Sequence, residues 1–405
     1  MRGESKVVTS TTYLEKLMQL KDNFTVKVIT GLRGVGKTNL LLTFAETLRK
    51  EGVPQEEIVY INFEEEQNIF DYQQLYEFVN DKIADLEQAY LIFDEIQRVK
   101  GWEKAINAFF VGSPVDIYIS DSNNSVLSET FLNLLSNNYE VIQMQPLPFK
   151  EYLKLVKAGK NVDNEAHFKK YSKFGGLPFI TKLEEDEENI FTFLSGIYHT
   201  IMNKDIIARY GVRDAELLDS VNRCLAINIG KPITPKVIDS YLENIGQITT
   251  IYTMENYFRM INESGLFRRV ARYDIKTRTK LNGSEQFYCA DLGILNMLSR
   301  KFSLENRFIA ENIIYIELLR EGYDVFIGKN GPIKIDFVAI KDSKPTYIHI
   351  VDKIGAKNNL RKTFHPLHRI NDQYDKIVVS LEKPKIKDHN GIKIVSIFDF
   401  INGKV

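Results

Sequence analysis

Cysteine is almost absent from this chain of 405 residues: Cys224 and Cys289 stand alone. Two cysteines exclude a disulfide framework and a cysteine-built zinc site, and a reducing compartment is expected. Long apolar runs are absent too. None approaches the roughly 20 residues that a membrane-spanning helix requires, so no membrane partner is expected. The opening MRGESKVVTS has no apolar core of the kind that makes a signal peptide, so the cytoplasm is the expected location. An excess of one charge is missing as well. Lys+Arg 53 oppose Asp+Glu 54, so any contact with nucleic acid has to come from a local basic patch. There is no internal repeat and no low-complexity tract.

What is present is 44% hydrophobic and 26% charged, enough for well-formed cores in about two to four domains. The first third alternates strand and helix. NFTVKVITG (23–31) reads as a buried strand, TNLLLTFAETLRKEG (38–52) as a helix ending at glycine, and EIVYINFE (57–64) as a second strand. A helix near 73–84 follows, then AYLIFDE (89–95) and VDIYISDS (115–122), apolar runs with polar carboxyl ends. That alternation predicts an α/β fold with a parallel, doubly wound sheet whose ligands sit beyond the carboxyl ends of its strands. After Pro146 and Pro148 the pattern turns mostly helical, and the acidic run EEDEEN (184–189) reads as a solvated helix edge. Three helical segments, DSVNRCLAINIG, TPKVIDSYLENIG and TIYTMENYFRMINESG, each end at a glycine. LFRRVARYDI and SEQFYCAD follow, with Asn282 and Gly283 expected in the turn between them. Three helices and a hairpin predict a winged helix. From about Ser303 come a helix and the strands DVFIGK, KIDFVAI, TYIHIVDK, DKIVVSLEK and IKIVSIFDF.

The first chemical motif is ITGLRGVGKTNLL (29–41), which fits G-x-x-x-x-G-K-[ST] without a gap. Gly31, Gly34, Val35 and Gly36 would turn backbone N–H groups toward phosphates at the start of a helix whose dipole favours anions. Lys37 would reach the β- and γ-phosphates of ATP, Thr38 would ligate magnesium, and Asn39 completes the expected nucleotide-binding set. The second motif is LIFDEIQ (91–97). Two carboxylates ending an apolar strand need a cation or water beside them. Asp94 is expected to hold magnesium and Glu95 to act as base toward the attacking water. The third is YISDSNNS (118–125), where Ser120, Ser122 and Asn123 are placed to orient that water or sense the γ-phosphate. Asp121 is awkward there, since it adds negative charge near phosphates.

Together with YLIFDEIQRVKGWEKAINAFF, IYISDSNNSVLS and VIQMQPLPFKEYL, these motifs resemble the prokaryotic AAA-type ATPases with a C-terminal domain of unknown function. FGGLP (174–178), KDIIARYGVRDAELL (204–218) and FYCADLGILNML (287–298) continue the likeness over nearly the whole chain. The resemblance implies an ATPase core over 1–150, a helical lid over 151–215 and a winged helix over 216–300. A restriction-endonuclease-like α/β domain would fill 301–405. Two departures stand out. Ser136-Asn137-Asn138-Tyr139 replaces the family's S-G-R-Y, so an arginine is missing at 138, and Ser120-Asp121-Ser122 replaces T-G-S. Arg33, Arg209 and Arg213 are the candidates to stand in for that arginine.

A nuclease of the restriction-endonuclease type needs an acidic residue on one strand and E/Q-x-K on the next. Asp336 fits the first requirement, with Glu311 or Glu317 as a helix-borne carboxylate. His349 and Val351 occupy the positions of the acid and the lysine, while Asp352 and Lys353 lie out of register. A retained fold without the chemistry is expected. Arg268, Arg269, Arg272, Lys276, Arg278 and Lys280 crowd the hairpin, a composition that suits either a wing beside duplex DNA or a charge-protected edge. His365 and His368 in FHPLHR read as surface histidines. The expectation is a magnesium-dependent ATP switch, with double-stranded DNA as the leading candidate for what it controls. An ATP-binding module for protein partners and an ATP-regulated nuclease remain the alternatives.

Overall fold

The structure, a computed structural model, describes residues 11–66, 68–136, 138–156, 164–183, 186–300, 307–354 and 357–403. The opening decapeptide, Asn137, the first two residues of the acidic run and the stretch around Ser303 lie outside the described residues. The chain forms two compact units. One comprises the chain up to Met144 with the short pieces Leu177–Phe179 and Glu263–Gly265, and the other is the remainder from Gln145 onward.

The first unit holds a five-stranded sheet. Its strands are β1 (Val26–Gly31), β2 (Ile58–Asn62), β3 (Ala89–Asp94), β4 (Val115–Asp121) and β5 (Tyr139–Met144). Their order is β2-β3-β4-β1-β5 and every pairing is parallel. The α/β class and parallel core expected from the alternating pattern are therefore present. Every residue of β1 and β3 is buried, as a strand covered on both faces requires, which is why these strands read as unbroken apolar runs. Helices Tyr72–Ile83 and Trp102–Gly112 cover one face, with Leu75, Val79, Ile106 and Phe109 against Leu91, Phe93 and Ile117. Because β1 lies beside β4, one strand from β3, the carboxyl ends of all three converge on one edge of the sheet.

The second unit contains helices and an eight-stranded mixed sheet. Helices Ala215–Ile227, Pro235–Asn244 and Ile251–Glu263 precede an antiparallel hairpin, β6 (Phe267–Asp274) and β7 (Thr279–Cys289). Then come β8 (Asp324–Asn330), β9 (Ile333–Lys341), β10 (Lys344–Val351), β11 (Lys376–Ser380), β12 (Asp388–His389) and β13 (Ile392–Ser396). The sheet order is β12-β13-β11-β10-β9-β8-β6-β7, so the hairpin and the C-terminal strands share one sheet through the parallel pair β6–β8. The hairpin turn differs from the sequence expectation. It lies at 275–278, where Asp274 Oδ1 accepts the N–H groups of Lys276 (2.9 Å) and Thr277 (3.1 Å). Asn282 and Gly283 instead fall inside β7, opposite an irregularity between Val270 and Arg272. An Asx-type turn at Asp274 competes with Asn-Gly for the reversal, and it takes it.

FGGLP has a packing explanation. Asp291 caps the helix Leu292–Ser299, accepting the N–H groups of Gly293 and Ile294, and also accepts the Gly176 N–H at 2.9 Å. Gly175 has φ +82°, and a Cβ there would stand 2.3 Å from Asp291 Oδ1, so no side chain fits. Asn312, fully buried on the helix Arg307–Arg320, grips the end of β7. Its amide donates to Cys289 O (2.9 Å) and its carbonyl accepts Cys289 N–H (2.8 Å).

Candidate functional site

At the carboxyl end of β1 the chain turns through the glycine loop into the helix Lys37–Lys50. Gly36 is the residue before that helix, with φ 99° and ψ 25°, a left-handed conformation that a side chain would strain. Val35 is buried beneath the loop and its N–H donates to Leu32 O at 3.2 Å. Gly31 pairs across to Met144 of β5, and Gly34 is at the exposed crest. Lys37 is 4% exposed and donates to the carbonyls of Gly31 (2.9 Å) and Leu32 (3.4 Å), curling the loop around its own ammonium. Thr38 and Asn39 form the first turn of the helix behind it.

β3 delivers the two carboxylates. Asp94 is wholly buried: Thr38 Oγ1 donates to its Oδ2 at 2.6 Å, and Ser120 Oγ donates to its Oδ1. Burial raises the Asp94 carboxyl above its ordinary value, past the opposing pull of the Ser120 and Thr38 hydroxyls. Glu95 has φ 57° and ψ 44°, left-handed for a side-chain-bearing residue, and its carboxylate has a different set of partners from that of Asp94. Its Oε1 accepts from Ser122 Oγ (2.5 Å). Its Oε2 accepts from Gln97 Nε2 (2.7 Å) and Arg33 Nη2 (3.3 Å). Burial alone would raise the Glu95 carboxyl. The charges of Lys37 and Arg33, with those hydrogen bonds, hold it below its ordinary value.

Nearly all the expected residues therefore meet at one sheet edge, with refinements. Ser122 is engaged with Glu95, and Ser120 joins Asp94 to the Glu95 backbone, whose N–H donates to its Oγ at 3.1 Å. Asn123 is 1% exposed and its N–H donates to Asp121 Oδ1 at 2.8 Å, which gives Asp121 a role in fixing the loop. Sequence reasoning missed Gln97, Glu64, Arg98 and Tyr60. Tyr60 OH donates to Asp94 Oδ2 at 3.4 Å, and Glu64 accepts from Arg33 (3.2 Å) and Arg98 (3.1 Å). The only signal for these was polar residues at the ends of β2 and β3. Asn138 sits elsewhere. Its carbonyl accepts the Val26 N–H, which places it at the amino end of β1, about 16 Å of strand from the glycine loop. An arginine at 138 would not face this unit's own loop.

In the second unit, Asp336 and Glu311 are 2% and 1% exposed. Arg307 bridges them, with Nη2 2.6 Å from Asp336 Oδ1 and Nε 3.1 Å from Glu311 Oε1. His349 Nδ1 is 2.7 Å from Asp336 Oδ2, which also accepts the Ile350 N–H. Glu317 pairs with Arg320 instead, so Glu311 is the helix carboxylate that meets Asp336. Burial and the Asp336 charge push the Glu311 carboxyl up. For Asp336, burial acts upward but is outweighed by His349, Arg307 and the Ile350 N–H, so its carboxyl falls. On the hairpin, Arg268 is half-buried with its Nε shielded, and burial lowers its guanidinium. Arg269 pairs with Glu255 and Glu285, and Arg272 donates to Asn282 O. Arg278 and Lys280 lie over Tyr374 and Phe326, and Lys276 is exposed at the turn. His368 is 5.9 Å from His389 ring to ring. Among the described residues no group of three or more His, Cys, Asp or Glu is arranged to hold a metal.

A parallel sheet with a glycine loop after its first strand and an Asp-Glu pair one strand beyond its neighbour defines a P-loop domain of the AAA type. The AAA domain family model matches residues 23–153, and a domain of unknown function matches 165–305. The chain is 34% identical over 403 residues to an uncharacterized protein of Haemophilus influenzae, covering 98% of each, and it belongs to the same family of AAA-domain proteins. An uncharacterized protein of Methanocaldococcus jannaschii is 27% identical over 353 residues, covering 83% of this chain and 77% of the relative. A Walker-type ATPase of Pyrococcus abyssi shares the fold, with a TM-score of 0.53 at 14% identity over 73% of this chain and 97% of that one. No helix among the described residues is long and apolar enough to cross a membrane.

Proposed function

We propose that this chain binds ATP with magnesium and hydrolyses it, acting as a nucleotide switch in the cytoplasm. The observation that carries this reading is the convergence of Lys37, Thr38, Asp94 and Glu95 on one edge of the sheet. Lys37 and the first turn of the helix Lys37–Lys50 form a cationic, N–H-rich cradle suited to phosphates. The Thr38 hydroxyl and the Asp94 carboxylate, 2.6 Å apart, are hard oxygen donors that fit magnesium. Magnesium there would neutralise the charge building on the β- and γ-phosphates.

Glu95 is a separate carboxylate, held on a different set of partners from Asp94 and kept ionised by Lys37 and Arg33, as a proton acceptor must be. In the reaction a water oxygen bonds to the γ-phosphorus, and the bond to the bridging oxygen breaks with its electron pair leaving on ADP. The water proton passes to Glu95. Ser122 and Gln97 orient the Glu95 carboxylate, and Ser120 fixes both acids relative to β4.

Residues 151–215 we read as a lid, 216–300 as a winged helix and 301–405 as a restriction-endonuclease-like domain without nuclease chemistry. Arg307 between Asp336 and Glu311 supports the last reading, because a guanidinium already neutralises the carboxylates that would otherwise bind magnesium. The test is phosphate release from ATP with magnesium and with a chelator. Release is expected only with magnesium, and Lys37→Ala, which removes the cation the glycine loop curls around, is expected to lose nucleotide affinity while keeping its circular dichroism spectrum. Unchanged affinity in that variant would end the assignment.

A further inference from the structure

Arg33 occupies an unusual place, inside the glycine loop itself, between Gly31 and Gly34. Its side chain is 13% exposed and reaches across the sheet edge to two carboxylates at once. Nη2 donates to Glu95 Oε2 at 3.3 Å, and Nη1 donates to Glu64 Oε1 at 3.2 Å. Glu64 stands just beyond β2 in a turn fixed by its own N–H, which donates to Asn62 Oδ1 at 2.9 Å. Arg98, beyond β3, holds the same Glu64 oxygen at 3.1 Å. A loop that wraps phosphates is thus tied, through one guanidinium, to the ends of two neighbouring strands.

Two physical features make this tie displaceable. Both bonds lie at the long end of the N–H···O range, and neither carboxylate is met in the parallel two-bond fork that a guanidinium favours. A terminal phosphate offers more charge and suitably spaced oxygens, so it competes well for the same group. The tie also occupies Glu95. With Ser122 on one oxygen and both Gln97 and Arg33 on the other, three of about four acceptor positions of the carboxylate are taken. Asn138, where a family arginine is missing, lies at the far end of β1, so a cation serving this unit's own loop has to come from elsewhere. Arg33 is already there.

We propose that Arg33 is a nucleotide-sensing latch, paired with Glu64 and Glu95 until a γ-phosphate draws it off, and then the cation that stabilises the transferring phosphoryl group in cis. The proposal rests on the reading of the site as an ATP hydrolase. Its chemistry is the same hydrolysis. Moving the guanidinium frees an acceptor position on Glu95 for the water proton and sets positive charge beside the equatorial oxygens of the γ-phosphate. ADP lacks that phosphate, so ADP leaves the latch closed.

The test uses the full chain as wild type, Arg33→Ala, Arg33→Lys and Glu64→Gln, each with magnesium. Affinities for ADP and for a non-hydrolysable ATP analogue are measured beside single-turnover phosphate release. Arg33→Ala is expected to weaken the ATP analogue about tenfold with ADP unchanged, and to slow phosphate release about 10³-fold. Arg33→Lys should recover part of the affinity but little of the rate, since a point charge lacks the planar fork. Glu64→Gln, at a partly exposed position that tolerates change, should tighten the ATP analogue severalfold and leave ADP alone. An ATP-to-ADP affinity ratio that stays the same in Arg33→Ala and Glu64→Gln overturns the latch, even where wild type hydrolyses ATP. A ratio that shifts as expected in a wild type releasing no phosphate keeps the sensing and removes the hydrolysis. Absence of any nucleotide binding by wild type overturns both.

Discussion

Glu95 combines a left-handed backbone with a buried, multiply bonded carboxylate, and such a conformation costs on the order of 1–3 kcal/mol. The strand would be easier to end with glycine, so the side chain has to justify the strain. We expect Glu95→Gln to bind ATP at least as tightly as wild type, because size is kept and one carboxylate anchor of Arg33 is lost, and to slow phosphate release by roughly 10²–10⁴-fold. Equal single-turnover rates in the two proteins would remove Glu95 as the base. A second buried charge behaves differently. Lys27 and Asp116 form an ion pair in the core of the first unit, with Tyr118 OH and the Asp22 N–H also donating to Asp116. Burial lowers the Lys27 ammonium against the raising effect of Asp116. Asp116→Ala is expected to destabilise by about 3–5 kcal/mol, since it strands a buried cation, whereas Lys27→Met with Asp116→Leu should cost clearly less, because only the neutral Tyr118 hydroxyl and Asp22 N–H then lose their acceptor. Denaturant unfolding of both variants decides it. A single variant as stable as the double would show that Lys27 is neutral in the folded chain.

The hairpin is the element whose meaning changed most between sequence and structure. Its cations read equally as a wing for DNA or a charge-protected edge, yet β6 is an interior strand of an eight-stranded sheet, Arg268, Arg269 and Arg272 are half-buried, and the last two are engaged with Glu255, Glu285 and Asn282 O. What remains toward solvent is the turn with Lys276, Arg278 and Lys280. Counterion release counts only cations that reach phosphates. We therefore expect the salt slope of duplex-DNA binding to be unchanged by Arg268→Ala and to fall by about one unit for Lys276→Ala. Identical slopes in wild type and both variants, measured from 50 to 200 mM salt, would take DNA away from this hairpin.

For the molecule as a whole, the second unit bears on whether the chain cuts DNA. Asp336, Glu311 and His349 do come together in space, but His349 stands where a nuclease pattern would need an acid, Arg307 stands between the two acids and Val351 takes the place of the lysine. We expect no cleavage of supercoiled or linear DNA with magnesium or manganese, with or without ATP. Nicking that vanishes in Asp336→Ala would overturn this. The glycine loop, the Asp-Glu strand end and the α/β alternation were legible in the sequence because each is a local rule. A backbone that wraps phosphate needs glycine, and a strand covered on both faces is continuously apolar. FGGLP was legible as a motif but not as a cause. That required Asp291, more than a hundred residues on by number, to fill the space where a Cβ of Gly175 would go. In the same way the sequence could offer Arg33, Arg209 and Arg213 as stand-ins for a missing arginine, and the three looked equal. Only folding brought the end of β2 beside the glycine loop, so that Arg33 met Glu64 and Glu95, and only folding set Asn138 at the opposite end of β1. The sequence by itself determined which local elements form and which motifs mark the candidate site, because propensity, periodicity and loop geometry act over a few neighbours. Which charges neutralise one another was decided by the tertiary structure, because Coulomb attraction and burial depend on distance in space, and sequence separation does not measure that distance.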